Sequence, residues 1–151
     1  TPAEAIIRTL KVRNGKEGKE IIPIRVLEIG EVNAAYEWVS TTVKKTLTKD
    51  FTSQEADIEK LQKLMNGGKI QANQRTAWES IGLTFGTILE NEMDGMQWMT
   101  VIDGNKEYPV LQFGSLLFDP AYLIWSKVKA KQNIDLKAEF ARIKAEVEAS
   151  L

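Results

Sequence analysis

The chain has 151 residues, 20 Lys+Arg against 21 Asp+Glu, a formal net charge of -1, and neither Cys nor His. Its length is about that of one domain, and 43% hydrophobic residues suffice for a core without covalent staples. The missing thiols and imidazoles exclude disulfides, Cys or His zinc sites, thiolate nucleophiles, Ser-His-Asp triads and imidazole general bases.

The first twenty residues carry Arg8, Lys11, Arg13, Lys16 and Lys19 around Asn14-Gly15 and Gly18. This composition predicts a weakly ordered basic arm over residues 1–20, ahead of one α+β domain over residues 21–151. Ile22, Ile24 and Val26, then Leu27 and Ile29, predict an extended segment. Pro23 has no N–H to donate and suits an edge strand or a covering strap. After Gly30, the residues Val32, Tyr36, Val39, Val43 and Leu47 keep to one helical face and predict a helix over 31–47. Thr52 and Glu55 have the spacing of a capping box ahead of a helix bearing Ile58, Leu61, Leu64 and Met65, which Asn66-Gly67-Gly68 ends.

A longer helix is predicted over 73–91, with Trp78, Ile81, Phe85, Ile88 and Leu89 on one side. Gly82 and Gly86 stand one turn apart on it. Each costs about 1 kcal/mol against alanine, so the pair predicts a groove where another element's backbone approaches closely. The period then changes from helical to alternating. Trp98 to Ile102 and Tyr108 to Phe113 flank Asp103-Gly104-Asn105-Lys106, a β-hairpin over 97–113, and Leu116 to Phe118 add a short third strand. Asp119-Pro120 starts one helix and Asp135 caps the last, whose Leu136, Phe140, Ile143 and Val147 face one way. The fold class is α+β, helices packed on a small antiparallel β-meander.

Several of these residues are similar to those of an uncharacterised bacterial family. They are Glu31 to Trp38, the run from Asp57 to Met65, Ile81-Gly82 through Gly86 to Leu89, Gly95 with Trp98, Val101, Asp103 and Gly104, and Pro120 with Lys127. In this order they resemble the domain of unknown function 3806, over a span from about Ile21 to the C-terminus. The resemblance implies no known activity and no catalytic residue. The basic arm and the Ile-Gly start of the glycine-marked helix depart from the family's pattern.

The chemistry still open to the chain is that of carboxylates, hydroxyls and amines. Glu90, Glu92, Asp94 and Asp103 lie near the junction of long helix and hairpin, where two acids have the chemistry of a general acid and base or of oxygen ligands for Mg²⁺ or Ca²⁺. The competing reading is local: Asp94 and Asp103 precede glycines in turns that favour Asp. Ser126 and Lys129 fit a Ser-x-x-Lys spacing, but Thr41 with Lys44, Thr42 with Lys45 and Thr46 with Lys49 repeat it, which marks chance. Gly67-Gly68-Lys69 lacks the remaining residues of a phosphate loop. Trp38 lies roughly 140° from the centre of its helix's apolar stripe and is the tryptophan expected at a surface. Lys127, Lys129 and Lys131 form a small basic run at a helix end.

The leading expectation is a non-catalytic binding or protein-interaction domain with no cofactor and no metal. Trp38, Trp98, Asp103 and Lys127 are its candidate interaction surface, and an unidentified protein is its partner. Balanced charge without a long basic block argues against nucleic acid. No segment reaches the ~18 apolar residues of a membrane span, so a soluble protein is expected, cytoplasmic or exported. Thr1 is not an initiator Met and reads as a processed or cut end. The alternatives are a carboxylate-based hydrolase or divalent-metal enzyme, and an immunity-like protein neutralising a toxin.

Overall fold

In the computed structural model, which describes residues 19–151, alternation and helical period divide the chain much as their signals demand. Strands β1 (Glu20–Pro23), β2 (Gln97–Asp103), β3 (Lys106–Phe113) and β4 (Leu116–Phe118) pair antiparallel in the order β1-β2-β3-β4. The β2-β3 hairpin places Asp103 opposite Lys106 across the Asp-Gly turn, where Gly104 takes φ +62°. Extended Ile21–Pro23 is indeed an outer strand, with Pro23 opposite Met99. The arm predicted over 1–20 lies outside the described residues up to residue 18, and Glu20 already belongs to β1.

Among the described residues five α-helices build the layer against the sheet: α1 (Val26–Leu47), α2 (Ile58–Asn66), α3 (Arg75–Glu92), α4 (Pro120–Lys129) and α5 (Leu136–Ala149). The main core unites Val32, Val39 and Val43 of α1, Leu61 and Leu64 of α2, Ile81, Phe85 and Ile88 of α3 and Ile124, Leu136 and Ile143 of α4 and α5 with Trp98, Leu111 and Phe118 of the sheet. Val101, Tyr108, Val110 and Leu117 form a smaller cluster on the opposite sheet face, as the two-residue alternation requires.

The glycine pair behaves as expected. A Cβ at Gly82 would stand 2.3 Å from the Pro120 carbonyl oxygen and 2.7 Å from the Ala121 Cα, so only glycine lets the start of α4 lie against α3. At Gly86 the same atom would meet the Trp98 indole at 2.6 Å. Asp119 accepts from the Tyr122 N–H and Asp135 from the Ala138 N–H, each at 3.1 Å, capping α4 and α5.

Two local expectations need correction. Helix α1 starts at Val26, five residues before the predicted start at 31, so Leu27 and Ile29 belong to the helix and not to an extended segment. A long-range anchor sets that start: the extended Arg25 donates its backbone N–H to the Thr100 hydroxyl at 3.2 Å. The second concerns the cap ahead of α2. The carboxylate that accepts from the Thr52 N–H and hydroxyl and from the Gln54 N–H is Asp57, in a short 3₁₀ turn, and not Glu55. Asp57 is fully buried and pairs with Lys60 at 2.7 Å, which Glu55, exposed, does not.

Candidate functional site

A cleft of about 580 Å³ opens between α1, α3 and the start of β2. Ile24, Ile29, Val32 and Trp98 give it apolar walls, while Asn33, Tyr36, Ser53, Thr87, Glu90 and Gln97 bring polar groups. Each wall has a local cause. Ile29, Val32, Asn33 and Tyr36 recur at three- and four-residue intervals on α1 and so share a side of it. Glu90 follows Gly86 by one turn on α3, which places it on the side of the helix where the missing Cβ admits the Trp98 ring. Two bonds hold the segment carrying Ser53 against the helices: the Tyr36 hydroxyl donates to the Phe51 carbonyl at 3.3 Å, and the Asn91 side-chain amide donates to the Ser53 carbonyl at 3.0 Å. Tyr36 and Phe51 also meet edge to face at 5.6 Å.

Glu90 is the only acid in this lining. Burial pushes its carboxyl above the usual carboxylate range, and a side-chain hydrogen bond with Trp98 offsets this only in part. Among the described residues no ion pair involves Glu90. Arg25, next in the chain to the cleft wall at Ile24, is turned elsewhere, to Glu28 at 2.7 Å and Glu107 at 2.7 Å.

Glu28, by contrast, is 1% exposed and fully engaged. It accepts from Arg25 through both oxygens, at 2.7 and 3.0 Å, and from the Thr100 hydroxyl at 2.9 Å. Arg25 foremost, with Thr100, holds it below the usual carboxylate range against the opposing effect of burial.

A further cleft of about 380 Å³ lies between α4 and α5, lined by Leu123, Lys127, Glu139, Arg142 and Ile143 among others. Its charges already serve one another: Lys127 stands 3.5 Å from Glu139, and Arg142 reaches Glu139 at 2.9 Å and Glu146 at 3.3 Å. It therefore offers a ligand less uncompensated charge than the Glu90 cleft does.

The structure does not gather the four surface candidates into one patch. Trp38 is 40% exposed on α1, Trp98 lines the Glu90 cleft, Lys127 lines the other cleft, and Asp103 is buried at the far end of β2 with Lys19 at 4.0 Å. Nor do the four acids near the helix-hairpin junction converge, since Glu92 and Asp94 are exposed and apart from the cleft lining. Among the described residues no three Asp, Glu, His or Cys side chains are placed to hold a metal ion. Ser126 donates to the Leu123 carbonyl at 3.3 Å and the Lys129 ammonium lies over the Tyr122 ring at 5.9 Å, so this pair makes no nucleophile and base. Sequence reasoning missed Asn33, Ser53 and Gln97, which carry no motif. The Gly86-to-Glu90 interval was a usable signal for Glu90, because it marks the helix side that faces a large neighbour.

Residues 57–140 match the family described as a domain of unknown function (DUF3806), within the span expected from Ile21 onward. The chain is also similar to a crystal structure from Bacteroides thetaiotaomicron VPI-5482, with 43% identity and a TM-score of 0.80 over 87% of this chain and 49% of that one. It thus spans about half the length of that chain. No curated protein matches it. No helix among the described residues is long and apolar enough to cross a membrane.

Proposed function

The chain belongs to the DUF3806 family, and we propose that it is a non-catalytic binding domain that engages a protein partner through the Glu90 cleft and the adjoining start of α1. The observation that carries this reading is a set of apolar side chains left in water at that place. Val26 is 85% exposed, Leu27 68% and Ile29 42%, and Ile29 is also a wall of the cleft. Single exposed apolar residues are ordinary, but three within one helical turn, continuous with a concave site, favour a contact surface. The cleft supplies polar groups able to fix a partner's orientation beside that apolar rim.

A photoreactive phenylalanine analogue installed at Leu27 tests this in the cells that make the protein. A defined protein crosslinked from Leu27, and not from the same analogue at Lys137 on α5, is the expected result. Equal capture from both positions, or capture from neither, overturns the reading.

A further inference from the structure

An acid partly withdrawn from water is a less stable anion than an exposed one, and a cation brought to it restores what desolvation takes away. Glu90 has the Trp98 side chain as its hydrogen-bond partner, and none of the ion pairs among the described residues reaches it. No lysine or arginine is among the cleft lining, and Arg25, next in the chain to Ile24, is committed to Glu28 and Glu107. Around the carboxyl group stand Ile24, Ile29, Val32 and the Trp98 ring, apolar surface that a hydrated metal ion or a small polar solute would leave unused. Glu90 is also the one charged oxygen donor of the lining, and among the described residues no three Asp, Glu, His or Cys side chains are grouped to hold a metal ion. The complement to this site is a cation carried on an aliphatic stem.

We propose that the cleft receives a lysine side chain of the protein partner, its ammonium group meeting the Glu90 carboxylate and its methylene stem lying against Ile24, Ile29 and the Trp98 indole. The proposal rests on the reading that this face binds a protein. Lysine is favoured over arginine because the lining holds one anionic group beside apolar walls, which a compact ammonium with three rotatable donors suits better than a rigid fork of five donors. Long basic side chains bury their stems while presenting a charged head, which matches a site with apolar walls and one anionic group. Asn33 and Gln97 at the cleft lining are placed to bond the partner's backbone beside that side chain.

The test uses the full chain, labelled with ¹⁵N, and three probes: the N-acetyl methylamides of lysine, of norleucine and of arginine. The lysine probe is expected to move the Trp98 indole N–H and Gln97 signals and to bind about tenfold more tightly than norleucine, the equivalent of about 1.4 kcal/mol. Glu90→Gln should erase that preference, while Glu90→Asp, which keeps the charge on a shorter stem, should retain part of it and guards against a variant that fails to fold. Norleucine binding as well as lysine, or arginine binding better, overturns the lysine assignment while leaving a ligand-binding cleft. A lysine preference that survives Glu90→Gln places the charge recognition elsewhere and also overturns it. If no probe moves any cleft signal, while the Leu27 crosslink still captures a protein, the lysine pocket fails and the interaction surface stands; if both fail, so does the functional reading.

Discussion

Glu28 and Glu90 are both carboxylates that a helix carries against strand β2, and their surroundings differ in kind. Glu28 meets a guanidinium through both its oxygens and a hydroxyl besides, so its burial is compensated within the fold. Glu90 faces a cleft with Trp98 as its hydrogen-bond partner. The first acid joins α1 to the sheet; the second is kept at a cost in solvation that the fold itself does not recover. A buried acid with full partners speaks for architecture, and a half-buried acid in a cleft with one partner speaks for something still to arrive.

The contrast is most exposed to refutation at Glu28. Glu28→Ala leaves the Thr100 hydroxyl and part of the Arg25 guanidinium without their acceptor and should lower unfolding free energy by about 3 kcal/mol. Denaturant titration measures it, and a loss no larger than that of Glu90→Ala would put the two acids on the same footing. Acid separates them next. Glu28 and Asp57 are held below the usual carboxylate range, so their contribution is complete above that range and is lost as pH falls through their folded values. Glu90 is raised, so its contribution is complete at low pH and is lost as pH rises through its folded value. The whole chain should therefore lose stability between neutrality and pH 4, Glu28→Gln should lose less than the parent over that interval, and Glu90→Gln should lose more. Urea titrations at both ends of the interval decide the order. The smallest effect is expected at neutral pH from Glu90→Gln, within about 0.5 kcal/mol of the parent or slightly above it. A loss of about 2 kcal/mol or more, far beyond that ~0.5 kcal/mol scale, would make Glu90 a structural acid like Glu28.

What could be read in the sequence follows the range over which each cause acts. The hairpin at Asp103-Gly104 and the caps at Asp119 and Asp135 are decided within four residues, and periodicity with composition was enough to place them. Gly82 and Gly86 were readable as a pair because two glycines on one side of a helix weaken it unless a close neighbour needs the space, although the neighbours themselves, Pro120 and Trp98, lay beyond reach of that argument. The start of α1 was not legible. Val26, Leu27 and Ile29 are apolar without being core, so their pattern mimics a strand, and the anchor at Thr100 lies 75 positions away. The cap ahead of α2 went to Asp57 because a 3₁₀ turn intervenes, which shifts the reach of the acid by two positions. The Glu90 cleft was the least legible feature, since its lining comes from Ile24 through Trp98 and only three-dimensional closure sets Asn33 beside Gln97.

The seam at Gly82 has a dynamic consequence. Because α3 there meets the Pro120 carbonyl and the Ala121 Cα, and not flexible side-chain tips, sliding α3 along its axis would drive a Cβ into backbone atoms. Shear between these two helices is barred, and they travel as one rigid wall. The opposite wall is tied as well, since Arg25 and Glu28 fasten the first turn of α1 to Thr100, so a guest meets walls already in place, and protection of the α1 amides from exchange should change little when it is seated.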